Sequence, residues 1–550
     1  MSLSPSGQVK LLEALADGSA HTMAELVLVS GLPRRQVEDT LAELKAQRQA
    51  IRGRQVIALD QDSREVAARE IDEYRDYLRN VKSASSPDLL AEIRQIVADV
   101  PKPKANLDHV QATAETVFKR GQMLATEFYL KSRSILFLGD HDLTSICLKM
   151  ISPSTRVVVS DIDDDLLNFL SEWNHSNADS PGYDTYFSDF RYGFPPALVD
   201  SVDVVFSDPP YTQDGLQLFV RRALTALTGN PQTCRMVLAY GHSRLRPDTG
   251  IAAQSVLSKS GLSIDAMLPG FNSYHGAEAL GSRADLYICQ PSAKALKSSD
   301  KVTAVRAIYT HGSSSVETAN DDVTRIKIGS EGRILSEIPE GNRIAVVLDD
   351  NTKIDSTRIS TNIQFVRMDT VVTKGLAVNS DYLIITIRSD FAYEKVFRAV
   401  LSSAAVRFSQ VTVIQKALTR DDVSVLQQTK TKRYLELAAM DVTEDYFDEK
   451  LLARITVLRP SAEVHQIWRY ILSRPHGRLQ NVTREALIDA SGDSISRLTK
   501  RDATDILKNS KIAEIFAAGQ RLIDLPIREI LRLKTEIERI IISNQLSGSR

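Results

Sequence analysis

Four apolar runs in the middle of the chain each lead to an acidic residue, and the last reads Ser207-Asp208-Pro209-Pro210-Tyr211-Thr212. Ser134-Ile135-Leu136-Phe137-Leu138 opens into Gly139-Asp140-His141-Asp142, Val157-Val158-Val159-Ser160 ends at Asp161, and Tyr186-Phe187 leads to Asp189. A carboxylate can hold a ribose through both hydroxyls, accept from an exocyclic amino group, or orient an amine nucleophile. On that chemistry Asp161 is read as the ribose ligand and Asp189 as the partner of an adenine amino group. Gly139 would let the backbone approach the same nucleoside. Two prolines stiffen the backbone behind Asp208, so Asp208, Pro209, Pro210 and Tyr211 are assigned to an acceptor amine. The Tyr211 ring can also lie over an alkyl cation.

The Gly139-Asp140-His141-Asp142 turn holds one glycine and two aspartates. Two acids are a poor host for a carboxylate and a good one for a bare ammonium. The expected donor is therefore decarboxylated S-adenosylmethionine, whose aminopropyl arm ends in an ammonium. Asp140 or Asp142 would neutralise that ammonium, and either acid could also accept the proton released by an attacking amine. The competing reading is a helix cap, for which Asp142 before Leu143-Thr144-Ser145 is well placed. His141 is read as a polar rim residue. Displacement at a sulfonium needs no metal, and none is expected.

These acids meet only if their runs are parallel strands, whose carboxyl ends share one crevice. Three further strands are expected at Arg235–Tyr240, Ser263–Leu268 and Asp285–Cys289, with helical patterns between them. The prediction over 105–291 is thus an α/β domain with a seven-stranded doubly wound sheet. Residues 1–62 read as a winged-helix-like domain, and 63–104 as a helical connector closed by Pro101-Lys102-Pro103. An additional α+β half follows, with a β-rich subdomain at 302–375 and an α/β subdomain at 376–460. Residues 461–550 are expected to be helical, with a second winged helix whose hairpin spans Ile515–Ile523. The closing helix carries Ile530, Leu533, Ile537 and Ile541 on one face, a stripe that serves as core or as a dimer seam. A homodimer is the expected assembly.

A formal net charge of −2 supplies no overall attraction to nucleic acid. Arg34 and Arg35 open the presumed recognition helix, yet a packing role for that module is the preferred reading. Cys147, Cys234 and Cys289 form no metal-ligand spacing and fit a reducing compartment. No basic segment leads into an apolar one at the start, and no long apolar run follows. A cytoplasmic protein without a membrane anchor is expected.

Leu107-Asp108-His109-Val110-Gln111-Ala112-Thr113, Gly139-Asp140-His141-Asp142-Leu143-Thr144-Ser145, Asp161-Ile162-Asp163, Ser207-Asp208-Pro209-Pro210-Tyr211-Thr212 and Gly276-Ala277-Glu278-Ala279 together resemble the branched-chain polyamine synthases. These are aminopropyltransferases that make N4-bis(aminopropyl)spermidine, and the likeness runs from residue 1 to about 291. It implies a Rossmann-like, class I methyltransferase-like sheet behind a winged helix. It also implies aminopropyl transfer from decarboxylated S-adenosylmethionine to a spermidine-like amine, releasing methylthioadenosine. By that likeness Asp142 is the acid beside the attacking nitrogen, and Glu278 binds a substrate ammonium. The family pattern is Gly-Asp-Asp-Asp, and His141 departs from it. The rival readings are an S-adenosylmethionine-dependent amino methyltransferase and a non-catalytic, polyamine-sensing DNA-binding regulator. Arg497, Lys500 and Arg501 would serve the regulator.

Overall fold

The computed structural model describes residues 5–297 apart from 52–53, 178–181, 243–244, 246 and 277–280; beyond these it describes Ile308 and separate stretches from 325 to 547. The chain opens with three helices, α1 (Ser6–Ala16), α2 (Met23–Ser30) and α3 (Arg34–Glu43), and an antiparallel hairpin, β1 (Gln47–Ile51) with β2 (Arg54–Ala58). Thr22 and Glu25 form a capping box at the start of α2, so two otherwise unpaired N–H groups are satisfied. Leu11, Leu15, Leu26, Val37 and Leu41 close a small core, which Ala67 and Ile71 of the long helix α4 (Gln61–Ala84) complete. Three helices and then a hairpin is the order expected of a winged helix. Helix α5 (Pro87–Asp99) takes Ser86 as its N-cap and carries the chain to the central sheet.

After the two-residue strand β3 (Gln111–Ala112) and helix α6 (Ala114–Glu127), the expected alternation begins. Strands β4 (Ser134–Leu138), β5 (Arg156–Asp161), β6 (Tyr183–Phe187), β7 (Val204–Ser207) and β8 (Arg235–Tyr240) are parallel. Their continuous apolar runs follow from burial on both faces. Helices α7 (Thr144–Ile151), α8 (Asp164–Ser176), α9 (Gln213–Ala226) and α10 (Pro247–Lys259) fill most of the connections. Strands β9 (Leu262–His275) and β10 (Arg283–Pro291) finish the sheet in the order β3-β9-β10-β8-β7-β4-β5-β6. All seven expected strands are present, in the order of a class I methyltransferase-like sheet. The strand β3, which pairs with the end of β9, is an eighth. The connections reverse direction between β4 and β7, and there a parallel sheet opens its ligand crevice.

Strands on both sides of residue 375 share one six-stranded sheet, so the expected subdomain boundary there does not separate two sheets. Its order is Ile363–Arg367, Ile344–Leu348, Tyr382–Ile387, Gln410–Leu418, Lys450–Val457, Met440–Phe447. The first four are parallel, and the fifth is antiparallel to both neighbours. Among the described residues that is the order of the central sheet without its third strand.

The expected second hairpin is corrected. Ala513–Ala517 is helical, Arg521 forms an isolated bridge with Arg478, and Leu522–Asp524 is a 3-10 turn. Ile515 and Phe516 are consecutive and both buried, which a half-exposed strand would not permit. Ile530, Leu533 and Ile537 of the last helix (Ile527–Ser547) are core, packed with Ile467, Trp468 and Ile471, so those residues are not a dimer seam. Among the described residues no helix is long and apolar enough to cross a membrane.

Candidate functional site

Gly139 follows β4 with a φ of +73°, a conformation open to glycine at little cost. The chain then turns through Asp140 to Leu143, whose N–H returns to the Asp140 carbonyl at 2.9 Å. Asp140 points inward. Its carboxylate accepts from the Ser145 N–H at 3.2 Å and from the Ser145 hydroxyl. Leu143 stands at the N-cap of α7, and the N–H of Ser145 in its first turn is satisfied by Asp140, so Asp142 is left for another partner. Burial pushes the Asp140 pKa well above the carboxylate range.

That partner is Arg120, a residue the sequence reading did not single out. It is fully buried on α6 with its guanidinium between the Phe206 and Tyr274 rings, 5.2 and 5.6 Å from their centroids. One terminal nitrogen donates to Asp142 Oδ2. The other donates to Asp208 Oδ2 and to the Tyr274 hydroxyl, both at 2.8 Å, while Nε donates to Asn272 Oδ1 at 2.7 Å. Asp142 Oδ1 accepts from the Ala112 N–H at 3.0 Å, so the short strand β3 also serves the site. Burial works against the Arg120 charge, but Tyr274, Asp142 and Asp208 more than offset it.

Asp208 stands at the end of β7 across the switch point. The Tyr274 hydroxyl donates to its Oδ2 at 2.6 Å and the Tyr211 hydroxyl to its Oδ1 at 3.2 Å. Pro209 and Pro210 are buried behind it, and Tyr211 meets Tyr240 edge-on at 5.2 Å. Burial raises the Asp208 pKa to about 6 against the pull of Arg120. The side chain keeps 18% of its surface exposed, against 9% for Asp142.

The part of the site expected to take a nucleoside is equally built. Asp161 Oδ2 accepts from the Asp140 N–H at 3.2 Å and Oδ1 from the Asp163 N–H at 2.8 Å, which ties the ends of β4 and β5 together. Burial, with Asp163 beside it, lifts the Asp161 pKa to about 7. Asp189 is held in a two-pronged pair with Arg191, with bonds of 3.0 Å from Nε and from a terminal nitrogen. Asp140 and Asp161 are therefore one linked pair, and Asp142 and Asp208 a second, joined through Arg120, while Asp189 pairs with Arg191. Glu278 lies outside the described residues.

Two corrections follow. The crevice is not a purely negative lining, because Arg120 offsets one carboxylate and burial favours the neutral forms of Asp140 and Asp161. His141 is buried rather than on the rim. Its Nε2 meets the Pro101 carbonyl at 3.0 Å, and its ring lies 4.4 Å from that of His109. Lys104 draws that segment over the site through Asp163 and Asp165 at 2.5 and 2.9 Å. Burial lowers both imidazole pKa values, that of His109 to about 3.

Residues 88–332 match the family model described as the branched-chain polyamine synthase A C-terminal domain. Over those residues the chain resembles the branched-chain polyamine synthases. An uncharacterized protein of Methanocaldococcus jannaschii is 31% identical over 195 residues, covering 36% of this chain and 48% of that protein. The N(4)-bis(aminopropyl)spermidine synthase of Thermococcus kodakarensis is 30% identical over 154 residues, 28% of this chain and 43% of that enzyme. The M. jannaschii enzyme of the same name is 32% identical over 155 residues, again 28% and 43%. The chain spans about half the length of the curated relatives it matches. Among solved structures, the Thermus thermophilus branched-chain polyamine synthase in complex with N4-aminopropylspermidine and 5'-methylthioadenosine aligns with a TM-score of 0.33 at 18% identity. That alignment covers 52% of this chain and 87% of that one.

Arg120 was not beyond the reach of the sequence. Val117, Arg120, Gly121 and Leu124 lie at helical spacing on one face, and an arginine within an apolar stripe needs a buried partner. Asn272 and Tyr274 carry no such signal, because the polar, half-exposed stretch of β9 does not distinguish them.

Proposed function

We propose that the chain is an aminopropyltransferase, moving the aminopropyl group of decarboxylated S-adenosylmethionine onto an amine of a spermidine-like polyamine to give a branched product and methylthioadenosine. The observation that carries this reading is the meeting of Asp142 and Asp208 on one guanidinium at the switch point, inside the segment that matches the polyamine synthase model. Asp161 and Asp189 would hold the nucleoside, with Gly139 giving the backbone room. Asp140 and Asp142 would stand nearest the donor ammonium, and Asp208 and Tyr211, backed by Pro209 and Pro210, nearest the acceptor nitrogen. A homodimer in the cytoplasm is the setting proposed with it, and Glu278 the proposed partner of a distal ammonium.

Arg120 beside Asp142 supports a second reading, methyl transfer from intact S-adenosylmethionine. It removes one of the charges that would repel a donor carboxylate. The DNA-binding regulator is less well supported. Helix α3 carries Glu38, Asp39 and Glu43 against Arg34 and Arg35, and Arg34 is engaged by Glu38 at 3.0 Å. Incubating the protein with each donor and a panel of amines, then weighing the products, separates these readings. An aminopropyl increment with release of methylthioadenosine is expected. A methyl increment would replace the reading, and salt-dependent duplex binding without any product would support the regulator.

A further inference from the structure

Asp142 and Asp208 are unequal partners of Arg120. Asp142 is the more deeply buried, and both its oxygens have fixed partners, the Ala112 N–H on one and Arg120 on the other. Asp208 has Oδ2 engaged by Arg120 and Tyr274, while Oδ1 takes the longer Tyr211 bond at 3.2 Å. A carboxylate oxygen can accept two hydrogen bonds. Oδ1 of the more exposed acid is therefore the oxygen best able to receive an N–H from the crevice.

Resting on the aminopropyltransferase reading, we propose that Asp208 is the catalytic residue that takes the proton from the acceptor nitrogen, and that Arg120 and Tyr274 are positioning residues that hold its carboxylate ionised and aimed. Asp142, in this assignment, is a fixed charge that braces Arg120. The acceptor arrives as an ammonium and gives one proton to Asp208 Oδ1, which frees its lone pair. That pair attacks the carbon bonded to the sulfonium. A C–N bond forms, the C–S bond breaks with its electron pair going to sulfur, and the positive charge passes to the product nitrogen. Nothing is oxidised or reduced.

The groups facing Asp208 set its titration. Burial raises it to about 6, Arg120 and the Tyr274 hydroxyl act downward, and Asp142 acts upward. A base with a value just below neutrality is ionised at neutral pH and still able to hold a proton.

The test is the pH dependence of kcat at saturating donor and acceptor, in the full chain. Wild type is expected to lose activity below about pH 6, with a limb that stays put when an acceptor of different basicity is used. Tyr274→Phe removes a hydrogen bond to the ionised form, so the limb should move to higher pH. Asp142→Asn removes a repelling charge, so the limb should move to lower pH. Asp208→Asn should lose the limb and roughly a hundredfold or more of kcat. The proposal is overturned if Asp208→Asn keeps the limb, if Asp142→Asn loses it, or if Tyr274→Phe leaves it unmoved while melting like wild type. A limb that tracks the acceptor also overturns it. A wild type that transfers no aminopropyl group with any amine overturns the underlying reading instead, and the proposal with it.

Discussion

Replacing Arg120 with Met keeps the length and bulk of the side chain and removes only the charge and its donors. Three of its partners are acidic or hydroxyl groups of the site: Asp142, Asp208 and Tyr274. Taking one member from a buried ion pair typically costs 3–5 kcal/mol, because the remaining charge stays buried without compensation. Two carboxylates are orphaned here, but Asp208 retains 18% of its surface in water. The expected loss for Arg120→Met is therefore about 3–4 kcal/mol at pH 8, within that range.

The sign of the pH dependence follows from Asp208. Its folded pKa, already raised to about 6, rises further without Arg120, so the folded variant binds a proton that the unfolded chain does not. Stability from a raised group is full below the unfolded value and is lost as pH climbs through the folded one. The deficit should be small near pH 5 and large at pH 8. Hydrogen exchange of the α6 and β9 amides measures the opening free energy locally, without requiring the whole chain to unfold in one step. A loss below about 1 kcal/mol, or an equal loss at both pH values, would refute the buried-hub account.

Two further changes probe the scaffold. Gly121 faces α7 so closely that an added Cβ would lie 2.7 Å from Cys147 Sγ and 3.3 Å from the Cys147 backbone carbon. Gly121→Ala should therefore destabilise by about 1–3 kcal/mol through overpacking, despite alanine's better helix propensity; a melting temperature at or above wild type would contradict this. Asp164 joins α8 to the C-terminal half, receiving Arg398 at 3.2 Å and the Ile527 N–H at 3.3 Å. Asp164→Ala should loosen that docking, visible as faster limited proteolysis near residue 527, and an unchanged cleavage rate would count against it.

What could be read from the sequence was what burial writes as an apolar run or a stripe. The parallel strands Val157–Ser160 and Val204–Ser207 are apolar on both faces, and their length and flanking turns leave little choice of element. The acids beyond them were legible for the same reason, since a charge that ends such a run must sit at a strand terminus. Their mutual arrangement was not. Whether Asp140 or Asp142 serves the first turn of α7 depends on a turn with Leu143 at positive φ, which no spacing announces. The charge of the crevice is not legible from the turns that carry the acids, because the counter-ion, Arg120, comes from α6. The pairing of His109 with His141 was hidden likewise, since it arises from the fold-back of the Pro101–His109 segment.

The described residues of the C-terminal half make several contacts with the far edge of the central sheet and with α8. Strand β6 ends the central sheet, and an open edge of this kind invites pairing with other chains. The Gln520 amide donates to the Thr185 carbonyl on β6 at 2.9 Å, and Ser171 on α8 donates to Glu529 at 2.5 Å. The last helix and the 3-10 turn before it thus cover the side of the sheet from which Asp189 and Arg191 extend. Arg398 adds its guanidinium over the Phe187 ring at 3.9 Å, against the final residue of β6. Among the described residues the second sheet shows no counterpart of β6, and it is β6 that Gln520 and Arg398 contact. Gln520 and Arg398 thus tie the added half to the strand that leads to Asp189, the residue proposed for the adenine amino group.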